Sequence, residues 1–155
     1  MQCPMKAHTF TVRAVVAEDT RLLRHRVLWP HKERMEDCMI DIDHRRDAIH
    51  LGAFDSEGCL VGVCSLFEMA TPKLTDDCQY RLRAMATAPE VRGQGAGAVL
   101  VEEAKRLIAE RCYDVLWCDA RKVALGFYER LGFDRIDEWY EVPLIGPHQL
   151  MYVRF

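Results

Sequence analysis

Alternating hydrophobic and polar residues dominate the first part of the chain and predict β-strands with one buried face. Segment 9–17 alternates in this way, as a half-buried strand does. Segments 48–54 and 59–67 are equally strand-like, and the turn-forming residues Asp55-Ser56-Glu57-Gly58 separate them. This pattern is typical of a β-hairpin whose glycine supplies a left-handed turn position. We therefore expect one strand followed, further along the chain, by a hairpin.

A predicted strand at 79–88 carries two kinds of side chain. Strict alternation places Tyr80, Leu82, Ala84 and Ala86 on one face, and Arg81, Arg83, Met85 and Thr87 on the other. Pro89 ends this strand, because proline has no N–H to donate. Further strands are predicted at 115–118, 134–142 and 149–155.

Three segments have the hydrophobic period of amphipathic helices. The first begins at Asp19 or Thr20, the second spans 95–110 and the third spans 122–131. Segment 31–47 is strongly charged without that period, which predicts a loop with one helical turn. Strands, helices and a β-α-β unit in the second half together predict a mixed α/β (α+β) fold.

Length and composition restrict the class of protein. The chain has 155 residues, of which 50% are hydrophobic and 29% charged, as expected for a single domain over 1–155. The net charge of −3 does not provide a basic surface for nucleic acid. The longest apolar runs, such as 60–67, are far shorter than the ~20 residues of a membrane helix. Residues 1–8 lack the apolar core of a secretion signal, so we expect a cytoplasmic protein without nucleic-acid or membrane partners.

The seven cysteines and six histidines do not form a metal-binding pattern. There is no Cys-x-x-Cys pair, no His-x-x-x-His spacing and no Cys/His cluster of zinc type. An odd number of cysteines in a chain without an export signal predicts reduced thiols. We expect no metal.

A glycine-rich loop is the most informative stretch of the sequence. Residues 91–98 read Val-Arg-Gly-Gln-Gly-Ala-Gly-Ala and lie between a predicted strand and a predicted helix. Glycines allow a ligand to approach the backbone closely, and the free N–H groups of a helix start attract anions. The segment therefore predicts a phosphate-binding loop, with a tight turn that binds nothing as the alternative.

One interpretation of this loop is a dinucleotide site. Gly93, Gly95 and Ala98 match G-x-G-x-x-G/A, and the acidic Asp119 follows at about the expected spacing of ~20 residues. The arginine-bearing face of strand 79–88 opposes this interpretation, because the first strand of a parallel dinucleotide fold is apolar on both faces. Too few residues also follow Asp119 to complete a doubly wound sheet. A nicotinamide-dependent oxidoreductase remains an alternative.

The second interpretation uses Arg92, Gly95 and Gly97, which form R-x-x-G-x-G. After the next predicted strand comes Ala124-Leu125-Gly126-Phe127-Tyr128-Glu129-Arg130-Leu131-Gly132-Phe133. In its order of elements and in both motifs, 80–133 resembles the GCN5-related N-acetyltransferase (GNAT) family. The resemblance implies a single domain with a central, mixed, mostly antiparallel twisted sheet of about six or seven strands, flanked by about four helices.

The resemblance also implies which residues bind the cosubstrate acetyl-CoA. The strand before the loop holds the pantetheine arm, the loop holds the pyrophosphate, and a residue at the start of the next helix reaches the phosphates. The corresponding residues here are Met85, Ala86, Thr87, Arg92, Gly93, Gln94, Gly95, Ala96, Gly97 and Arg121. Many relatives have asparagine where this sequence has Arg121, so the asparagine contact itself does not carry over.

Tyr128 matches the tyrosine that the family often uses as general acid toward the leaving thiolate. Its alternative role is packing between hydrophobic neighbours. Many relatives have a glutamate on or near the central strand that acts as the general base, where this sequence has Arg81 and Arg83. The candidates for a general base are therefore Glu68 and His148. The alternative for each is a structural role at the surface or in the core. Attack without a dedicated base, with water carrying the proton, is the third possibility.

The function implied by the resemblance is acetyl transfer from acetyl-CoA to a primary amine by direct attack in a ternary complex. The acceptor is a small molecule or a peptide. Arg81 and Arg83 either face solvent, or one of them pairs with a carboxylate or phosphate of the acceptor. A coenzyme A-binding sensor or interaction module without turnover is the alternative from another class. Homodimers are common among similar proteins, so the resemblance allows one here.

Overall fold

The computed structural model describes residues 9–155 and contains one sheet of eight strands. The order across the sheet is β1-β2-β3-β4-β5-β8-β6, with β7 also paired to β8. Only β4 and β5 are parallel, and the other pairs are antiparallel. This confirms the predicted mixed, mostly antiparallel α/β sheet. The strands are β1 Thr11–Val15, β2 Ile49–Phe54, β3 Leu60–Glu68, β4 Gln79–Thr87, β5 Val115–Arg121, β6 Asp134–Arg135, β7 Tyr140–Val142 and β8 Gly146–Arg154.

Residues 9–155 form three helices, where about four were expected. Helix α1 spans Arg21–Leu23 and continues as a π-helical turn at Arg24–Leu28, α2 spans Ala96–Glu110, and α3 spans Leu125–Arg130. The charged segment 31–47 contains only a 3-10 turn at Met35–Asp37, because it has no apolar stripe that would bury a helix face.

The main core lies between α2 and one face of the sheet. Leu100, Ala104 and Ile108 of α2 are fully buried against strand residues that include Leu51 and Leu82. These positions belong to the stripe that the helical period predicted, and each fully buried leucine contributes about 1.5–3 kcal/mol. The helix therefore holds the strand and loop that precede it firmly against the sheet.

A β-bulge changes the phase of β4. Val63 pairs with Ala86 and Ser65 with Arg83, so β4 has one more residue than β3 between these pairs. The backbone of Ala84 has φ +51°, which is rare for a residue with a side chain. Such an extra residue bends the strand and increases its twist.

The bulge overturns the strict alternation predicted for this strand. Met85, instead of Ala86, packs with Tyr80 and Leu82 against the main core. Ala86 joins a separate cluster that includes Val63. Side chains alternate between the two faces of a sheet only while each residue is paired in register. After one unpaired residue, every later side chain therefore lies on the face opposite to the one that strict alternation predicts.

β4 and β5 separate before β4 reaches its bulge. Their pairing is confined to Gln79–Arg81 and Val115–Trp117. After Arg81 and Trp117 the two strands continue without pairing to each other. Their carboxyl-terminal ends therefore flank an open gap. This gap positions the site described below.

The last strands also differ from their predicted bounds. The predicted strand 134–142 is divided into β6 and β7, because the Glu138 N–H turns back to the carbonyl of Ile136. β8 begins at Gly146, earlier than predicted, and forms a hairpin with β7. Residues 145–148 therefore lie beside the end of β5.

Two further observations concern 9–155. None of the helices found there has the length and apolar character needed to cross a bilayer. The six cysteines in this part of the chain are free thiols. The prediction that 1–8 lack a secretion signal lies outside the described residues.

Candidate active site

A cavity of about 710 Å³ fills the gap between the separated ends of β4 and β5. The start of α2 and the first turns of α3 close one end, and the end of α1 forms another wall. Because the bulge and the parting of the strands create this space, backbone groups of β4 line a cavity instead of pairing with a neighbour.

The glycine loop forms one end of the cavity. Gly93 and Gly95 have φ of +77° and +97°, a region that residues with a Cβ rarely adopt. Gly95 is the N-cap of α2, so the N–H groups of the first helical turn have no partner within the helix. These N–H groups and the positive end of the helix dipole suit an anion such as a pyrophosphate.

Gly97 has a different role from the other two glycines. A Cβ at this position would lie 3.2 Å from Cζ of Phe127 and 3.4 Å from Cε of Met85. The missing side chain therefore lets α3 approach the start of α2. This close packing brings the residue after Phe127, Tyr128, to the cavity wall.

The structure brings together most of the residues predicted to bind acetyl-CoA. Gln94 is the exception, because its side-chain amide donates to the Glu90 carbonyl at 3.3 Å and does not line the cavity. The residues that do line it are Met85, Ala86, Thr87, Arg92, Gly93, Gly95, Ala96, Gly97 and Arg121.

Tyr128 lies in the cavity wall with only 6% of its surface exposed. Its ring packs edge-on against Phe127 and Phe133, at 5.0 and 5.3 Å between centroids. Burial raises the pKa of Tyr128 well above its ordinary value, and the adjacent thiols of Cys118 and Cys64 add to the rise. The hydroxyl therefore keeps its proton at neutral pH and can act as a donor.

The two candidate bases occupy different places. Glu68 lies outside the cavity, where its carboxylate accepts a hydrogen bond from the Tyr113 hydroxyl at 2.6 Å. His148 lines the cavity, and its Nδ1 is 2.8 Å from the carbonyl oxygen of Gly146. A carbonyl can only accept, so Nδ1 carries a hydrogen, and Nε2 has no hydrogen-bond partner among the described residues.

Asp119 is the only carboxylate among the described residues that line the cavity. Arg81 donates to one of its oxygens at 2.5 Å, and the Tyr140 hydroxyl donates to the other. Burial raises the pKa of Tyr140, and its hydrogen bond to Asp119 raises it further. This pairing leaves Asp119 poorly placed to bind a ribose, and the mostly antiparallel sheet likewise does not fit the dinucleotide interpretation.

Arg81 and Arg83 have different surroundings, although both were candidates for an acceptor contact. Arg81 is held by Asp119 and stacks over the ring of Trp117 at 4.8 Å. Arg83 lines the cavity and forms no ion pair or side-chain hydrogen bond within 9–155. Neither side chain belongs to an open solvated face.

The family resemblance implied an acceptor pocket from residues 20–47 and 134–150, but it did not single out the wall formed by Val27, Leu28 and Trp29 at the end of α1. Their hydrophobic character was visible, but no local pattern indicated that they face a cavity. The segment that supports α1, residues 38–47, is charged and without period, so its packing could not be predicted either.

A buried polar network holds α1 in place. Arg24 is fully buried and forms a two-pronged ion pair with Asp43, at 2.7 and 2.9 Å. It also donates to the Ser65 hydroxyl at 2.8 Å, and His50 links Ser65 to the Asp43 carbonyl. Burial by itself raises the pKa of Asp43, but the hydrogen bonds from Arg24 and the Ile40 N–H outweigh it and bring the pKa below its ordinary value.

Comparison with known proteins identifies the family of this chain. Residues 15–133 match the profile of the acetyltransferase (GNAT) family. The chain is 38% identical over 141 residues to the uncharacterized N-acetyltransferase YitI of Bacillus subtilis strain 168, covering 91% of this chain and 93% of that protein. The chain therefore belongs to the GNAT acetyltransferase family.

Solved structures show the same fold at low sequence identity. FeeM, an N-acyl amino acid synthase from uncultured soil microbes, superposes with a TM-score of 0.74 at 15% identity, covering 95% of this chain and 91% of that one. The IAA acetyltransferase from Bacillus cereus superposes with a TM-score of 0.69 at 15% identity, covering 95% and 100%. At this identity the likeness concerns the fold alone.

Proposed function

We propose that this protein is an N-acetyltransferase that moves an acetyl group from acetyl-CoA to a primary amine, by direct attack in a ternary complex. The observation that carries the proposal is the convergence of three features on one cavity. These are the separated strands β4 and β5, the glycine loop with its unpartnered N–H groups, and the buried hydroxyl of Tyr128. Family membership supports the same reaction class.

The residues at the loop end of the cavity fit the cosubstrate. The backbone of 92–97 would hold the pyrophosphate, and the guanidinium groups of Arg92 and Arg121 line the same cavity and add permanent positive charge. The unpaired end of β4, at 85–87, would hydrogen-bond the pantetheine arm through main-chain groups. Acetyl-CoA would supply a thioester, whose carbonyl carbon accepts the amine while the C–S bond breaks.

Tyr128 and His148 would move the two protons of the reaction. Only a neutral amine is a nucleophile, and the Nε2 atom of His148, which has no partner among the described residues, would be the proton acceptor in the cavity. The proton lost from the amine therefore goes to His148 or, through water, to solvent. Tyr128 donates to the departing sulfur, a role worth about 10²–10⁴ in rate for a well-placed group.

We also propose the domain organisation, location and assembly that the sequence led us to expect. The whole chain, 1–155, would act as one domain in the cytoplasm, and a homodimer is compatible with the proposal. The alternative of a coenzyme A-binding module without turnover makes the same binding predictions, and it differs only in showing no product.

The first test is thermal unfolding with acetyl-CoA, coenzyme A or NADH. A ligand at a hundredfold its Kd stabilises by about 2.7 kcal/mol, which raises the Tm of a domain of this size by roughly 5–10 °C. We expect this shift with both coenzyme A forms and none with NADH. No shift with either coenzyme A form would overturn the proposal.

A second assay separates an enzyme from a binding module. It follows the release of the coenzyme A thiol from acetyl-CoA with a panel of primary amines. We expect amine-dependent release, and mass spectrometry should show product heavier by one acetyl group. Binding of acetyl-CoA without release for any amine would favour the module.

A further inference from the structure

Arg83 is a guanidinium in the wall of the cavity without a counter-ion among the described residues. It forms no ion pair or side-chain hydrogen bond with any residue of 9–155, although the side chain is partly buried. Residues 1–8 contain no aspartate or glutamate and so offer Arg83 no carboxylate side chain.

The charged groups around Arg83 are already engaged. Asp119 accepts from Arg81 and Tyr140, and Asp43 accepts from Arg24 and the Ile40 N–H. The three arginines 24, 81 and 83 therefore face two aspartates, which leaves one positive charge in excess. Burial lowers the pKa of Arg83, and the charges of Arg81 and Arg24 lower it further, while the two aspartates act in the opposite direction.

Arg83 lies on β4 on the side of the bulge away from the glycine loop. Thr87, at the end of β4, is four positions further on, and because one of these residues is unpaired, the backbone advances by about three strand steps, or about 10 Å at ~3.3 Å per residue. Arg83 lies two residues beyond the last paired position of β4 and β5, Arg81 with Trp117. Asp119 of β5 and Arg24 of α1 lie close enough to act on the charge of Arg83, and we take this part of the cavity, away from the loop, as its acceptor end.

We infer that Arg83 binds a carboxylate of the acceptor, so that the substrates are primary amines that also carry a carboxylate. The inference rests on the proposed function and names the substrate class for the same site. One excess positive charge matches a singly charged carboxylate better than a doubly charged phosphate. The planar fork of the guanidinium suits the two carboxylate oxygens. Arg81 cannot serve, because its charge is already neutralised by Asp119.

The test compares acids with amides of nearly equal size. Glycine, alanine, leucine, phenylalanine, lysine and β-alanine are each assayed beside their carboxamide, and phosphoethanolamine is assayed beside ethanolamine. We expect at least one acid to be acetylated with a kcat/KM about 10- to 100-fold above its amide, as a charge-assisted hydrogen-bond pair allows. Equal rates for acids and amides, or a preference for phosphoethanolamine, would overturn the carboxylate assignment.

Variants locate the effect at this residue. R83Q should raise the KM for the acid about 10- to 100-fold, without changing the KM for its amide or for acetyl-CoA, and R83K should restore part of the loss. R13Q is the matched control, because Arg13 is an exposed arginine on β1 away from the cavity. Since Arg83 holds no partner in the fold, R83Q should have an unchanged or higher Tm. A lowered Tm with unchanged acid selectivity would mean a structural role and overturn the inference.

A readout without turnover separates this inference from the proposed function. The Tm is measured with coenzyme A plus an acid or its amide, which form a dead-end complex. Stabilisation by the acid that disappears in R83Q would support the carboxylate site even if no amine were acetylated. Acetylation of neutral amines without any response to acids would leave the proposed function standing and overturn the inference.

Discussion

The two ends of the cavity are built in different ways. The loop end consists of one continuous segment, 91–98, whose glycines and free N–H groups are set by local backbone geometry. The acceptor end is assembled from α1, the bulged β4, β5 and the β7–β8 hairpin. The loop end is supported by the apolar core under α2, whereas the acceptor end combines a small apolar cluster around Leu23 with a buried ion pair and shared hydrogen bonds.

This difference predicts how each end responds to substitution. A contiguous backbone site can be impaired by one strained residue while the core stays intact. A site assembled from distant segments is sensitive to any group that holds those segments together. The following experiments act on one end while the other end serves as the reference.

Removing the charge of Asp43 should have the largest effect on stability. D43N leaves the fully buried guanidinium of Arg24 without its counter-ion, and breaking a buried pair in this way costs about 3–5 kcal/mol. The measurement is the free energy of unfolding in urea. D37N is the control, because Asp37 forms an exposed pair with Arg34 that is worth about 0–1 kcal/mol. Equal losses in the two variants would contradict the role given to the network.

The same pair predicts a pH dependence of stability. Because folding lowers the pKa of Asp43, its contribution is fully present above the unfolded-state pKa of about 3.9. It is lost as the pH falls through the lower pKa of the folded state. Urea titrations at decreasing pH should therefore show a steeper acid loss in the wild type than in D43N, and parallel curves would argue against it.

Replacing Tyr128 by phenylalanine should have the largest effect on catalysis. Y128F removes the only buried hydroxyl assigned as proton donor, and we expect kcat to fall about 10²-fold or more with unchanged acetyl-CoA affinity. The hydroxyl of Tyr113, which binds Glu68 outside the cavity, provides the control variant Y113F. Unchanged kcat in Y128F would leave the tyrosine with a packing role alone.

The raised pKa of Tyr128 also predicts how the rate behaves at alkaline pH. Because folding raises the pKa of Tyr128 well above its ordinary value, the hydroxyl stays protonated up to at least about pH 10. The rate should therefore show no loss from tyrosine ionisation below that pH. A fall in kcat between neutral pH and pH 9 that is absent in Y128F would contradict the assignment.

Strain at the loop end should weaken cosubstrate binding. In G95V a branched side chain must adopt a backbone with φ +97°, and strain of this kind costs about 1–3 kcal/mol, or roughly 10- to 100-fold in affinity. G58V imposes similar strain in the β2–β3 turn, where nothing lies within 4 Å of a new Cβ. Isothermal titration with acetyl-CoA should separate the two variants. An unchanged affinity in G95V would mean that the loop does not hold the cosubstrate.

Replacing His148 should give the smallest effect. H148Q removes the free Nε2 base, and we expect about a tenfold loss in kcat, below the 10²–10⁴ of an indispensable base, because water still carries the proton. The exposed His31 provides the control H31Q. An unchanged kcat in H148Q would favour a purely structural histidine.

The features predicted correctly from the sequence have short-range causes. The stripe of α2, the hairpin at 49–68 and the glycine loop each depend on neighbours within a few residues. Tyr128 was found through a motif that lies close to it in the chain. The prediction failed within β4 after Ala84, because a single unpaired residue leaves hydrophobic alternation almost unchanged while reversing the faces.

The sequence by itself therefore determined the class of fold and the glycine loop between β4 and α2, since these depend on local periodicity and backbone freedom, and a local motif provided the candidate acid. Only the tertiary structure decided which of the two arginines has no ion-pair partner and which candidate base lies in the cavity. It also decided which side chains bind the carboxylate of Asp119. Arg81 and Arg83 are equivalent in the pattern of their strand, and they differ because only one of them meets a carboxylate from β5. Such pairings depend on strand register and on contacts between segments that are distant in the chain. These contacts leave no periodic pattern in the sequence from which they could be predicted.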